Sequence, residues 1–150
     1  MNYRKGIIAI IIDSQNNFLI VQLQSYSKND WNFVGGGKEG IETPEQNLLR
    51  ELKEELSIDQ NDFNIIGISS TPLKYDFIEP IVRDDITYVG QEKDQFLVKF
   101  HGEKSKIKIQ LEEIRDYKWV KFEQLSQYLN FPNQLEKAHA VIKELLPVLI

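Results

Sequence analysis

The stretch Gly36-Gly37-Lys38-Glu39-Gly40-Ile41-Glu42-Thr43-Pro44-Glu45-Gln46-Asn47-Leu48-Leu49-Arg50-Glu51-Leu52-Lys53-Glu54-Glu55-Leu56-Ser57-Ile58 holds a glycine turn, a helix start and three spaced carboxylates. Thr43 reads as an N-cap, Pro44 as the first helical residue and Gln46 as the partner that closes a capping box. From there to about Leu56 the apolar residues Leu48, Leu49, Leu52 and Leu56 follow helical spacing with one buried stripe. Glu51, Glu54 and Glu55 stand at i, i+3 and i+4 and so share one face beside that stripe. Like charges at that spacing repel by roughly 0.2–0.5 kcal/mol per exposed pair. An acidic helix face is ordinarily just solvated. Here the Gly35-Gly36-Gly37 turn and the adjacent Arg50 point instead to a cation among the three carboxylates. Oxygen ligands of this kind suit hard ions such as Mg²⁺ or Mn²⁺.

Outward from the helix, β-rich runs at Gly6 to Asp13 and Asn17 to Leu23 flank Ser14-Gln15-Asn16 and predict a hairpin. Trp31 to Val34 reads as a short strand entering the glycine turn. Asn64 to Leu73 reads as a strand, and Tyr75 to Asp85, with Pro80 inside it, as irregular. Gln95 to His101 and Lys106 to Leu111 read as strands paired across His101-Gly102-Glu103, and Lys118-Trp119-Val120 as the last strand. A short helix over Phe122 to Leu129 and a closing one from Gln134 to about Leu146 complete the pattern. Strands flanking an early and a late helix predict an α/β/α sandwich around a mixed sheet.

The chain of 150 residues fits a single domain spanning 1–150, with a core of real size. Its lack of cysteine excludes disulfides, thiolate metal sites and cysteine nucleophiles, and is compatible with the cytoplasm. A net charge of −5 argues against wrapping duplex DNA, which calls for a basic stripe, yet leaves room for a nucleotide or an RNA 5′ end in a local basic pocket. The run Ile7 to Ile12 is too short to span a membrane. Lys104, Lys106 and Lys108 alternate with Ile107, Ile109 and Leu111, which reads as the solvated edge of a strand. His101 and His139 read as structural, and Leu145 to Ile150 as packing on the core or on a partner subunit, in a monomer or homodimer.

Gly36, Glu42 and Arg50-Glu51-Leu52-Lys53-Glu54-Glu55-Leu56-Ser57-Ile58 together resemble the signature of the Nudix hydrolases, G-x5-E-x7-R-E-U-x-E-E-x-G-U with U a bulky aliphatic. Only Ser57 departs, where the signature has glycine. The resemblance implies the same α/β/α sandwich and Mg²⁺- or Mn²⁺-dependent hydrolysis of a diphosphate bond in a nucleoside diphosphate linked to another group. It further implies Glu51, Glu54 and Glu55 as metal ligands, with Glu51 also a candidate base, Arg50 as an internal organiser and the Gly35 carbonyl as a further ligand. Glu42 would tie the loop to the helix. Many family members place another metal-binding or basic glutamate before a Trp-containing strand. That spacing favours Glu113, with Glu112 as the alternative, ahead of Tyr117-Lys118-Trp119.

Tyr3-Arg4, Trp31-Asn32-Phe33, Tyr75-Asp76-Phe77, Tyr88-Val89-Gly90-Gln91 and Phe96-Leu97-Val98 look like the members that act on RNA 5′ ends or on dinucleoside tetraphosphates. Val34, Ile41 and Lys93-Asp94-Gln95-Phe96 depart from their usual pattern. NTPs, dNTPs or pterin triphosphates are the alternative substrates, and a catalytically silent nucleotide-binding domain is the third reading. Arg4, Lys38 and Lys93 are candidate phosphate contacts, and Tyr75 or Tyr88 a candidate stacking surface for a base. At Ser57 a left-handed residue is expected to cost roughly 1 kcal/mol, which the helix end would relieve by adjusting.

Overall fold

Strand β1 (Asn2–Ile12) runs through the middle of the computed structural model, which describes residues 2–149. It pairs antiparallel with β2 (Asn17–Leu23) and β3 (Val34–Gly37). It also pairs in parallel with β6 (Ile86–Phe100), from Asn2 opposite Tyr88 to Ile12 opposite Lys99. The sheet runs β4-β6-β1-β2-β7, with β4 (Phe63–Ile68) and β7 (Ile114–Lys121) outermost and β5 (Leu73–Arg83) also hydrogen-bonded to β6. Alternation along β1 sends Ile7, Ala9 and Ile11 to one face and Ile8, Ile10 and Ile12 to the other, all of them buried. Helix α1 (Pro44–Leu56) covers the first face with Leu48, Leu52 and Leu56. Helix α3 (Gln134–Leu145) covers the second with Ala138, Val141 and Ile142, and the short α2 (Leu125–Tyr128) adds Leu125. A central strand with apolar residues on both faces needs cover on both, and the α/β/α sandwich follows. No helix among the described residues is long and apolar enough to cross a membrane.

The β1–β2 turn closes on Asp13, whose carboxylate accepts the Gln15 and Asn17 amides at 2.9 and 2.8 Å. Elsewhere the structure corrects the sequence-based expectations. Trp31 to Phe33 makes a single isolated bridge, Asn32 to Val21, and pairing as a strand begins at Val34. The stretch from Tyr75 to Asp85 is not irregular: it lies in β5 and its turn, and β5 pairs with β6. Pro80 falls where the register jumps from Asp76 to Ile81, so no ladder N–H is missed. The hairpin turns at Asp84 and Asp85, with φ of 52° and 64°, as a tight primed turn demands. The strand expected over Asn64 to Leu73 ends at Ile68.

Lys106 to Leu111 does not join the sheet. After a helical turn at Lys104–Lys106 it runs along the end of α1, with Lys108 N donating to Leu56 O and Gln110 N to Glu55 O, both at 3.0 Å. Its alternation is real but records burial of Ile107 and Ile109 against that helix end, so the lysines are not a strand edge. The Phe122 to Leu129 helix is a helical turn at Phe122–Gln124 followed by α2. Ser57 is left-handed at φ 58°, ψ 33°, and the helix end does not adjust to avoid it. Leu145 and Leu146 pack on the second core, and Ile150 lies outside the described residues. His139 stacks on Phe122 at 4.9 Å, a packing role.

Candidate active site

Helix α1 begins with the reciprocal bonds read from its sequence: Gln46 N donates to Thr43 Oγ1 at 3.2 Å and Thr43 N to Gln46 Oε1 at 2.8 Å. One turn later Arg50 reaches back across the loop. Its Nε and Nη2 grip both oxygens of Glu42 at 3.1 and 2.7 Å, and Nη2 also donates to Gly37 O at 2.7 Å. Its Nη1 donates to Glu51 at 3.0 Å and to Glu54 at 3.1 Å. These contacts match in number the five N–H donors of a guanidinium. Glu42 in turn accepts Glu39 N at 2.8 Å, so the loop, the strand end and the helix form one unit.

Glu51 and Glu55 are each 6% exposed, whereas the Glu54 side chain is about half exposed. One oxygen from each of the three lies within 4.8 Å of the others. Glu51 turns its carboxylate onto Gly36, where a Cβ would collide with it. Glu113, on the turn before β7, brings its carboxyl up to that of Glu55. Burial, then Glu113, push the Glu55 carboxyl up to about 8. Burial also raises Glu51, opposed by Arg50 and reinforced by Glu54 and Glu113. Negative charge is therefore held under repulsion at a point built wholly of oxygen donors. A hard divalent cation fits this donor set, and a proton is the only substitute the carboxyls carry themselves.

On the opposite face of the β1–β3 ladder the Arg4 guanidinium covers Gly37, leaving 2.5 Å between its Nη2 and a Cβ built there. Lys93, aligned with Gly6 on the neighbouring strand, is lowered in pKa by burial and then by Arg4, while Glu51 opposes the shift. Two residues along β6 from Lys93, Gln95 lines a cavity of about 400 Å³ against α3, together with Phe33, Tyr75, Tyr26, Phe131 and Gln134 among others. Tyr75 brings Phe77 with it, edge to face at 6.1 Å. Lys38 lines a separate cavity of about 240 Å³ beside Glu42 and Asn47. Gly35 pairs with Ile8 next to the glycine that receives Glu51. Tyr88 is not brought to the site: it pairs with Ile81 and Asn2, five residues up β6 from Lys93, or about 16 Å along the strand.

Tyr26, Gln95, Phe131 and Gln134 were not singled out from the sequence. They come from three segments, Phe131 and Gln134 sharing the turn into α3, and only the packing of α3 on the sheet assembles them. The pattern around Phe33 was the one local signal available.

The family model for the NUDIX domain matches residues 2–146. An RNA pyrophosphohydrolase of Nitratiruptor sp. is 34% identical over 136 residues, covering 86% of this chain and 84% of its own. One from Campylobacter jejuni is 34% identical over 133 residues, with the same coverage of each chain. Among solved structures, the E. coli dihydroneopterin triphosphate pyrophosphohydrolase superposes with a TM-score of 0.72 at 19% identity, over 98% of this chain and 99% of that one. A C. elegans Ap4A hydrolase binary complex gives 0.68 at 16% identity, over 96% and 97%. At those identities the two structures share the fold alone.

Proposed function

The chain belongs to the Nudix family of hydrolases, and we propose that it cleaves a diphosphate bond in a nucleotide whose base occupies the cavity lined by Phe33 and Tyr75. RNA 5′ ends and dinucleoside polyphosphates are the substrates this reading favours, because the curated relatives that match most of the chain bear the name RNA pyrophosphohydrolase. The observation that carries the reading is the clustered oxygens of Glu51, Glu54 and Glu55, tied by Arg50 to the glycine turn.

Glu51, Glu54 and Glu55 would hold the divalent ion, Mg²⁺ or Mn²⁺, with Glu113 and the Gly35 carbonyl as further ligands. When bound, that ion would offset phosphate charge and lower the pKa of the attacking water. Arg50 has no donor left for substrate, so its part is to hold Glu51 and Glu54 in place. Arg4 and Lys93 would take the phosphates: a buried ammonium whose hold on its proton is weakened would hold it more firmly beside an anion. Tyr75 would stack on the base, and Lys38 would meet phosphate at the loop. Glu51 or Glu113 would take a proton from water. Tyr88 has no part.

A cavity of about 400 Å³ is in the range that holds one compact ligand, so an NTP, dNTP or pterin triphosphate is accommodated too. A Mg²⁺-dependent hydrolysis screen tests the proposal. It would cover 5′-triphosphorylated RNA, diadenosine polyphosphates, NTPs, dNTPs and nucleotide sugars, with Glu54→Gln as the blank. Turnover of RNA or of a dinucleoside polyphosphate, lost in the variant, supports the reading. Turnover confined to free triphosphates transfers it to the alternative. No turnover, with tight metal-dependent nucleotide binding, overturns it.

A further inference from the structure

Glu113 is exposed, yet it is delivered to a buried partner, and the turn that carries it is held in an unusual way. Gln110 is bonded there through three groups. Its backbone N donates to the carbonyl of Glu55 at 3.0 Å, so the turn is hung from the same residue whose carboxyl Glu113 meets. Its side-chain Oε1 accepts the Glu112 amide at 2.7 Å and the Glu113 amide at 3.3 Å. Its backbone carbonyl accepts Glu113 N at 3.1 Å and Ile114 N at 2.8 Å, which closes the turn into β7. From the other side Gln24 donates its backbone N to Glu113 O and its Nε2 to Leu111 O, both at 2.8 Å.

We propose that Gln110 is a positioning residue that sets the Glu113 carboxyl against Glu55, with Gln24, just past β2, bracing the same turn. The inference rests on the reading of Glu113 as part of the site. Without the Gln110 amide oxygen, the Glu112 amide loses its acceptor and the Glu113 amide keeps only the Gln110 backbone carbonyl, so the turn loosens. Glu113 then samples positions from which it no longer meets Glu55. A carboxylate that must share an ion with two buried glutamates depends on that placement. The side chain of Gln110 carries no charge and, among the described residues, hydrogen-bonds to the Glu112 and Glu113 amides rather than to Glu51, Glu54 or Glu55, so its effect passes through Glu113.

Gln24 also begins the segment that carries Tyr26 to the cavity wall. Gln22 holds that segment with its Nε2 on three carbonyls, those of Ser27, Lys28 and Asp30. Arg115, just past Glu113, clamps it from β7, with Nε on Gln22 Oε1 at 3.0 Å and Nη2 on Tyr26 O at 2.8 Å. The turn bearing Glu113 and the wall bearing Tyr26 are therefore one braced piece.

Steady-state kinetics and Mn²⁺ binding by electron paramagnetic resonance on the full chain test this, with Gln110→Ala, Gln110→Glu, Glu113→Gln and the double variant Gln110→Ala/Glu113→Gln. Gln110→Ala should lower kcat about tenfold with KM within about threefold, and weaken Mn²⁺ binding by a similar factor of ~10. Gln110→Glu keeps an oxygen acceptor in place and should recover most of both. In the Glu113→Gln background, Gln110→Ala should cost nothing further, because residues acting through one another are not additive. Additive losses overturn the proposal, as does a Gln110→Ala protein that matches wild type. If Glu113→Gln alone leaves kcat and Mn²⁺ binding intact, the role of Glu113 fails first and the positioning role falls with it. If Gln110→Ala loses activity through misfolding, Gln24→Ala, an exposed change at the other brace, should give the same kcat loss in a folded protein, and wild-type kcat there overturns the proposal.

Discussion

Replacing Ser57 with glycine should stabilise the protein without changing its chemistry. Ser57 caps α1 in the left-handed region at φ 58°, and Ser57 N and Ile58 N close the helix on Lys53 O and Leu52 O, each at 3.1 Å. For a residue with a Cβ that conformation costs about 1–2 kcal/mol. Its one offsetting contact, Ser57 Oγ to Lys108 O, is long at 3.4 Å and at the surface, so it returns only a small part. Glycine removes the strain but gains freedom in the unfolded chain, worth roughly 0.5–1 kcal/mol against folding. The net is a gain of about 0.5–1 kcal/mol, or ~1–4 °C in Tm at this chain length. Thermal and urea unfolding of the metal-free protein would measure it, with an unchanged urea m-value showing that the surface exposed on unfolding is unaltered. Ser57→Ala, which keeps the strain and loses the hydroxyl, should fall slightly below wild type. A Tm for Ser57→Gly equal to or below wild type would refute the strain argument. Since the helix end already has the geometry glycine favours, kcat should stay within about twofold. A rise by orders of magnitude would mean that Ser57 distorts the carboxylates, contrary to the structure.

The metal-free protein should lose stability as pH rises from about 4.5 toward 8. Glu55 is raised to about 8, so between those values the folded state holds a proton that the unfolded state has released, and folding weakens as that proton is lost. Mg²⁺ should therefore raise Tm more at pH 8.5 than at pH 5.5, and Glu55→Gln should flatten both dependences; equal shifts at the two pH values would contradict this. Arg50→Lys keeps the charge but cannot serve Glu42, Gly37, Glu51 and Glu54 together, and kcat should drop about 10–100-fold in a folded protein. Gly36→Ala drives a Cβ into the Glu51 carboxylate, and should abolish turnover and weaken Mn²⁺ binding by at least about tenfold while the circular dichroism spectrum persists.

What could be read from the chain was whatever depends on near neighbours. The Thr43–Gln46 box, the Pro44 start, the leucine stripe and the shared face of Glu51, Glu54 and Glu55 all span four residues or a few multiples of it. Geometry within one helix is set by its period, so spacing in the sequence is spacing in space. The glycine turn and Arg50 were legible for the same reason. The alternation after Lys106 was legible as burial of Ile107 and Ile109, though Leu111 is exposed, but not as its cause, since period two records a buried side and not what covers it. Pro80 misled in the same way: its cost depends on whether a ladder bond is required at that residue, which the register of β5 on β6 decides.

Tertiary structure alone decided the remainder. Glu113 meets Glu55 across 58 residues of chain because the segment from Lys106 is laid along the end of α1. Lys93 stands beside Arg4 because β6 runs parallel to β1 in one register, and a slip of one residue would turn it to the other face. The cavity joins Tyr26, Phe33, Tyr75, Gln95 and Phe131 from five stretches of chain. The chemistry was written in a helix and could be read there. The shape that would receive the substrate exists only where distant strands and α3 close together, because long-range register and packing, not local spacing, bring those residues into contact.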